Sequence, residues 1–491
     1  MLGTGVFVVF APAARLAGGW LPVAIVLAGL VAAFAAFADA DLADRYPGPG
    51  AGYRYGRETL APCVGRLAGV AALVGRVAAA AAAALVFGDY VQPGHPIWVA
   101  VPLIAVVGGL NVAGVRWTVR GAWVLVPGVL VVLAVVVVAG LTRHVPADWS
   151  VPGIAGNGIG DVVASGQPAG GLPMPADDAV RAAYPVTPLG VLSAAGLVFF
   201  AFAGFAAGYD GTPAGTDATP GRRGRVIPVM LLIVLVSYLA VAAALMHALD
   251  VPRLAMESAP LVAGVGGTDA PALGVLVRVG AAAATACALF GVLAGAGRTA
   301  VAMAERRDLP RWLGPAGSRG TPWRASLVGV AGAVLIVVLA SPAQAVALCA
   351  CCALIYYAVV NLAALRLPSA QRRWPRWTSV LGLPLCLGLA LLLPRTQVLI
   401  TVALLLVGCV GGWLVARRAA RVHERHPLAP PERPPIAAPE QSSAVPPERP
   451  HAVPPEQSPA REPESGLTGG PPPRLAADGA AGMVPDGGNG C

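Results

Sequence analysis

Two glycine-bearing stretches lie inside apolar runs: Gly3-Thr4-Gly5 near the start of the chain, and Phe202-Ala203-Gly204-Phe205 with Gly208 near its middle. A continuous helix bonds its own amides internally and offers a solute nothing. Where glycine lets a helix unwind, N–H groups at the half-helix terminus are exposed and favour a carboxylate. Taken singly, such a glycine more often marks the close packing of two helices.

Arg76 stands apart in the run GVAALVGRVAAAAA. It falls about nine residues inside an apolar segment, roughly 14 Å deep at helical rise. A charge there is costly unless it faces protein or water. Three roles fit it: a fixed cation in place of a bound sodium ion, a partner for a solute carboxylate, or a side chain snorkelling toward the interface. Asp39, Asp41 and Asp44 sit beside Arg45 and read as an interfacial cluster rather than a proton relay.

Other chemistries find no support in the sequence. The six histidines are dispersed over loops, segment ends and tail, with no metal-ligand spacing or nucleophile-base pairing, so no metal, cofactor or enzymatic activity is expected. Cys349-Ala350-Cys351-Cys352 has no nearby histidine or carboxylate and reads as small apolar packing residues. The net charge of +9 comes from 34 arginines without a lysine, spread singly or in small clusters. A nucleic-acid surface would gather them on one face among aromatics.

The elements that must position these groups follow from composition. With 56% hydrophobic and 12% charged residues, 491 residues have too little polar surface to cover a soluble body. The chain reads as an all-α polytopic membrane protein. Apolar runs near 2–14, 21–45, 67–89, 97–115, 121–141, 189–208, 226–248, 272–300, 325–340, 344–365, 377–393 and 397–416 predict twelve transmembrane helices, the first incomplete. None alternates with the period of two that a barrel strand needs. Arginines fall unevenly in the intervening loops, 21 on one side and five on the other, which predicts a cytoplasmic C-terminus. Residues 142–188 form a long Gly- and Pro-rich connection on the opposite, extracytoplasmic side. From about 421 the chain becomes a Pro-rich tail in which PPERP recurs at 430 and 446, too poor in apolar residues to fold.

Five stretches carry a family resemblance: LGTGVF at 2–7, ADRYPGPGAGYRYGRE at 43–58, FFAFAGF at 199–205, GRTAVAMAERRDLPRWLG at 297–314 with TP at 321–322, and LIYYAVVNLAALRLP at 354–368. In this order the chain resembles amino acid permeases of the amino acid-polyamine-organocation (APC) superfamily. The resemblance implies a LeuT-like fold: a first five-helix repeat over 1–141, an inverted second repeat over 189–366, helices 11 and 12 over 367–420, and the tail over 421–491. It also implies that Gly3, Thr4 and Gly5 bind a substrate carboxylate through backbone amides. Phe202, Gly204 and Phe205 would supply carbonyls for its amino group, and the two aromatic rings would line or gate the site. The implied function is secondary transport of an amino acid or related amine through the cell membrane, coupled to protons or run as exchange.

The resemblance has limits. After FFAFAGF the chain reads AAGYDGTPAGTDATPGRRGRVIP, longer than in the family and without its paired glutamates, and helix 5 lacks the lysine of some proton-coupled members. The family begins its first helix well before Gly-x-Gly, so Met1 falls in mid-helix and the expectation is a start assigned too late. The alternative to transport, suggested by that absent half-helix and the repetitive tail, is a transport-inactive membrane sensor or scaffold.

Overall fold

The computed structural model describes residues 3–46, 50–114, 119–142, 187–204, 220–266, 271–314 and 322–425. The chain divides into two units, Met1–Pro427 and Leu428–Cys491. The second unit, the tail repeats and nearly all of the 142–188 connection lie outside the described residues.

Among the described residues every regular element is helical. In chain order they are α1 (Gly5–Val8), α2 (Phe10–Ala17), α3 (Leu21–Arg45), α4 (Ala51–Thr59), α5 (Pro62–Val91), α6 (Pro96–Val112), α7 (Val119–Thr142), α8 (Pro188–Phe202), α9 (Pro220–Met256), α10 (Pro260–Gly264), α11 (Pro271–Glu305), α12 (Trp323–Leu339), α13 (Pro342–Leu365), α14 (Arg376–Leu392) and α15 (Arg395–Arg425). Among them are seven stretches long and apolar enough to cross a membrane, with four shorter apolar helices between them.

Local chemistry explains where helices start. Proline opens α5, α6, α8 and α13, where its missing N–H costs nothing and its fixed φ suits the first turn. Thr187 caps α8 by accepting from Gly190 N at 3.0 Å, and Ser341 with Gln344 closes a capping box on α13. In the first segment Pro12 has no N–H to give the carbonyl of Val8, and the helix is interrupted at Val9 between α1 and α2.

Burial ranks the helices. Of the apolar window of α13, 83% is buried, against 17% for α15, so α13 is central and α15 peripheral. α5 packs against both α11 and α13. Its alanine run Ala80–Ala84 is fully buried, small side chains letting neighbouring backbones approach without a void. The outward faces are apolar, with Val229, Leu232 and Val236 on α9 and Leu399, Leu406 and Val407 on α15 exposed. Water would penalise such a surface and lipid does not. Exposed tryptophans mark both ends: Trp20 and Trp98 at one, Trp312, Trp377 and Trp413 at the other, where Arg417 lies 3.7 Å over the Trp413 ring. The second is the arginine-rich end.

The structure refines the expected boundaries. α5 begins at Pro62 rather than 67, because Arg66 is paired inside the protein instead of marking a water-facing loop. The α-helical part of α8 ends at Phe202 and passes into a 3-10 turn at Ala203 and Gly204, and residues 205–208 of the expected span lie outside the described residues. A short helix, α4, occupies part of the expected 46–66 loop, entered through Gly50 at φ 72, where an L side chain would be strained.

Candidate functional site

A cavity of about 380 Å³ opens where the first segment, α5, the end of α8, α11 and α13 meet. Its size suits a small organic solute.

Gly3, Thr4 and Gly5 form one wall. Gly3 precedes α1, Thr4 is its N-cap and Gly5 its first residue, so these leading amides have no intrahelical acceptor. Gly5 is also a packing residue, since a Cβ there would lie 2.5 Å from the Cα of Ala201. The side-chain oxygen of Thr4 is buried and has no hydrogen-bond partner among the described residues.

The opposite wall is the frayed end of α8. Ala203 and Gly204 line the cavity beyond the last α-helical residue. Tyrosine hydroxyls hold two of its carbonyls: Tyr238 donates to Ala201 O at 3.1 Å and Tyr357 to Ala203 O at 3.2 Å. Phe202 does not turn its ring into this space. It is fully buried against Tyr238, with ring centroids 5.2 Å apart, and reaches toward Gly29 of α3. At about 100° per residue the side of α8 that faces the cavity carries Phe200 instead. Phe205 lies outside the described residues.

Arg76 lies at the midpoint of the 30-residue α5, deeper than its sequence position suggests. Its side chain lines the cavity and does not snorkel: Nη1 donates to Gly295 O at 3.1 Å and to the hydroxyl of Thr299, both on α11. Arg298, one turn along α11 from Gly295, joins the same wall. Sequence reasoning passed over Arg298 as part of a longer motif, although the test that singled out Arg76, a charge inside an apolar helix, applies to it equally. Tyr356 and Tyr357 on α13 complete the lining. Tyr356 also accepts a bond from Gly52 N at 3.1 Å, and Gly52 is required there because a Cβ would strike the tyrosine ring.

At the arginine-rich end, Asp308 is 1% exposed and gathers three donors. Tyr53 Oη donates to Oδ2 at 2.7 Å, Arg57 Nη1 to Oδ2 at 2.5 Å, and Arg66 Nε and Nη2 to Oδ1 at 3.1 and 2.9 Å. Burial, then the bond to the carboxylate, pushes the Tyr53 hydroxyl above its ordinary range, so it stays a proton donor. Asp308 reaches this position because Arg307 adopts φ 63 after α11 and the Asp308 N–H returns to Met303 O at 2.9 Å. Such a Schellman closure usually places glycine at this point. Asp41 and Asp44 meet Arg373, through its backbone N at 3.1 Å and its guanidinium at 3.0 Å, while Asp39 of the expected interfacial cluster is fully buried.

No group of histidine, cysteine and carboxylate side chains suited to a metal occurs among the described residues.

Comparison with known proteins follows the same line. Residues 1–428 match the family described as amino acid permease. Proteins named as uncharacterized transporters from Mycobacterium bovis and from two strains of Mycobacterium tuberculosis are each 36% identical over 413 residues, covering 83% of this chain and 86% of the relative.

Proposed function

Because the chain belongs to the amino acid permease family, we propose that this multi-pass membrane transporter carries an amino acid or related amine by alternating access. The observation that supports this reading most directly is the cavity between Gly3-Thr4-Gly5 and the end of α8 at Gly204, the start of one helix and the end of another facing one space inside an apolar bundle. In this reading the amides of Gly3, Thr4 and Gly5 receive the carboxylate. Carbonyls of Phe202, Gly204 and Phe205 receive the ammonium group. Of the two phenylalanines, Phe202 contributes through its backbone, its ring being part of the core.

Arg76 supplies a permanent positive charge at the site, so that no metal cation is needed to balance a bound carboxylate. Transport is then driven by protons or by exchange for a second solute. The two inverted repeats span 1–141 and 189–366, with 367–420 as two added helices and 421–491 as a tail. The arginine-rich end and the C-terminus face the cytoplasm across the cell membrane.

Reconstitution into proteoliposomes tests the reading. Saturable uptake or counterflow of at least one labelled amino acid is expected. Absence of both across all proteinogenic amino acids and common biogenic amines would overturn it in favour of a sensor or scaffold.

A further inference from the structure

The cavity is larger than the carboxylate and ammonium groups common to all amino acids require. An apolar cavity of roughly 150 Å³ holds one benzene ring, and the space here is about 380 Å³. Away from Gly3-Thr4-Gly5 and Gly204, its walls come mainly from α5, α11 and α13.

The walls on α5 and α11 are built from very small residues. Ala72, Gly75 and Ala79 line the cavity from α5, and Ala288, Gly291 and Gly295 from α11, each set at the i, i+3, i+7 spacing of one helix face. Each set runs about 10 Å at helical rise. No side chain in either set is larger than a methyl group, so the two helices, which pack against each other, bound a slot instead of a filled seam.

The slot has one closed end, on the arginine-rich side. Arg76 Nη1 crosses from α5 to Gly295 O at 3.1 Å and to the Thr299 hydroxyl on α11. A Cβ on Gly295 would lie 3.4 Å from Arg76 Nε and 3.7 Å from Arg298 Nη2, so both guanidinium groups stand at this end. The tyrosines of the wall are likewise bonded to the protein, Tyr357 donating to Ala203 O and Tyr356 accepting from Gly52 N.

A solute with a hydrogen atom or a methyl group for a side chain would leave this slot to water. A buried water needs about two to four polar partners, and alanine and glycine side chains supply none. A polar group placed against them loses its hydration without replacement, whereas a large apolar group gains in proportion to the area it removes from water. Two facing walls of small residues also suit a flat group. Phe200, Tyr356 and Tyr357 line the same cavity, where ring pairs favour edge contacts, and planar guanidinium groups accept an aromatic ring against their faces whether or not their edges are bonded.

Resting on the transport reading above, we propose that the substrate is an amino acid with a large apolar side chain, aromatic ahead of aliphatic, seated in the slot between α5 and α11. Gly291 sets the width of the slot: a Cβ there meets nothing within 4 Å, so a methyl group at this point would take space from the solute without touching the protein.

Competition in proteoliposomes decides the matter. Labelled L-phenylalanine is taken up in the presence of excess L-tryptophan, L-tyrosine, L-leucine, L-alanine, glycine, L-arginine, L-glutamate or putrescine. Tryptophan and tyrosine are expected to compete at least about tenfold better than alanine and glycine, the discrimination of burying a ring-sized apolar group. Gly291→Ala is expected to lower the phenylalanine-to-alanine selectivity by about tenfold, as one added methyl group does in a fitted pocket. Gly109→Ala, on an exposed part of α6 outside the cavity where a Cβ also meets nothing within 4 Å, should leave that selectivity unchanged.

Alanine, arginine, glutamate or putrescine competing as well as tryptophan, or unchanged selectivity in folded Gly291→Ala, overturns the proposal while leaving amino acid transport intact. Uptake of other amino acids without phenylalanine, tyrosine or tryptophan does the same. Leucine competing better than all three aromatic amino acids overturns it in favour of an aliphatic substrate. Transport of no amino acid at all overturns the underlying transport reading instead. Should Gly291→Ala fail to fold, the wild-type competition series still decides between bulky apolar and other substrates.

Discussion

Arg66 holds Asp308 through a fork, with its Nε at 3.1 Å and Nη2 at 2.9 Å from the same carboxylate oxygen, Oδ1. The pair joins α5 to the segment after α11, and Tyr53 and Arg57 on α4 close on the other oxygen. Removing the carboxylate leaves two part-buried guanidinium groups without it. Asp308→Asn is therefore expected to cost about 3 kcal/mol, as for breaking a buried pair, and Tyr53→Phe about 1 kcal/mol. A thermal-shift series in detergent should show the larger fall for Asp308→Asn.

Arg307 is in the left-handed region, φ 63, at a helix-closing position where glycine has no steric cost. Arg307→Gly should stabilise the protein by about 1 kcal/mol. An unchanged or lower melting temperature would mean that the Arg307 side chain contributes more than its backbone strain costs.

Glu257 follows α9 and is partly buried, 3.9 Å from Arg253. Burial raises its carboxyl above the ordinary glutamate range, with the arginine pulling weakly the other way. The folded protein therefore favours the neutral acid. Its contribution to stability is full at low pH, below the pKa of the unfolded chain, and is lost as pH rises through the folded value. The apparent melting temperature should fall over that interval in the wild type and fall less in Glu257→Gln.

Two cavity glycines should respond differently to added bulk. A Cβ on Gly5 collides with the backbone of Ala201, whereas one on Gly291 meets open space. Gly5→Ala should lower stability and abolish uptake together. Gly291→Val should keep the fold, within about 1 kcal/mol, and abolish uptake by filling the cavity. Melting temperature and uptake measured on the same preparations separate the two.

Cys63, at the start of α5, is exposed at the arginine-rich end. With Cys491 replaced by serine, a membrane-impermeant maleimide should label Cys63 in inverted vesicles and not in intact cells. The reverse pattern would place the arginine-rich end outside.

Much of this was legible in the sequence, and the reasons differ by residue. Arg76 and Gly3-Thr4-Gly5 stand out because lipid makes a buried charge and an unbonded amide expensive, so each announces itself against an apolar background. The choice between Phe200 and Phe202 is not legible, because which side of α8 faces the cavity depends on how that helix is rotated against α2 and α3. Asp308 hides within ERRDLPR, where an acid reads as local compensation for its neighbours. Its true partners lie some 240 to 255 positions away in the chain. The helix α4 escaped notice because AGYRYGRET carries its buried face on glycines and tyrosines rather than aliphatic residues.

Tyr356 and Tyr357 are neighbours on a single turn of α13, yet one is bonded to Gly52 beside the arginine-rich end and the other to Ala203 at the cavity. A rigid rod with two adjacent handles cannot move one without moving the other. A shift of α13 that released the Ala203 carbonyl at the cavity would also strain the bond to Gly52, so the cavity wall and the short helix α4 are tied to one element through a pair of adjacent phenols.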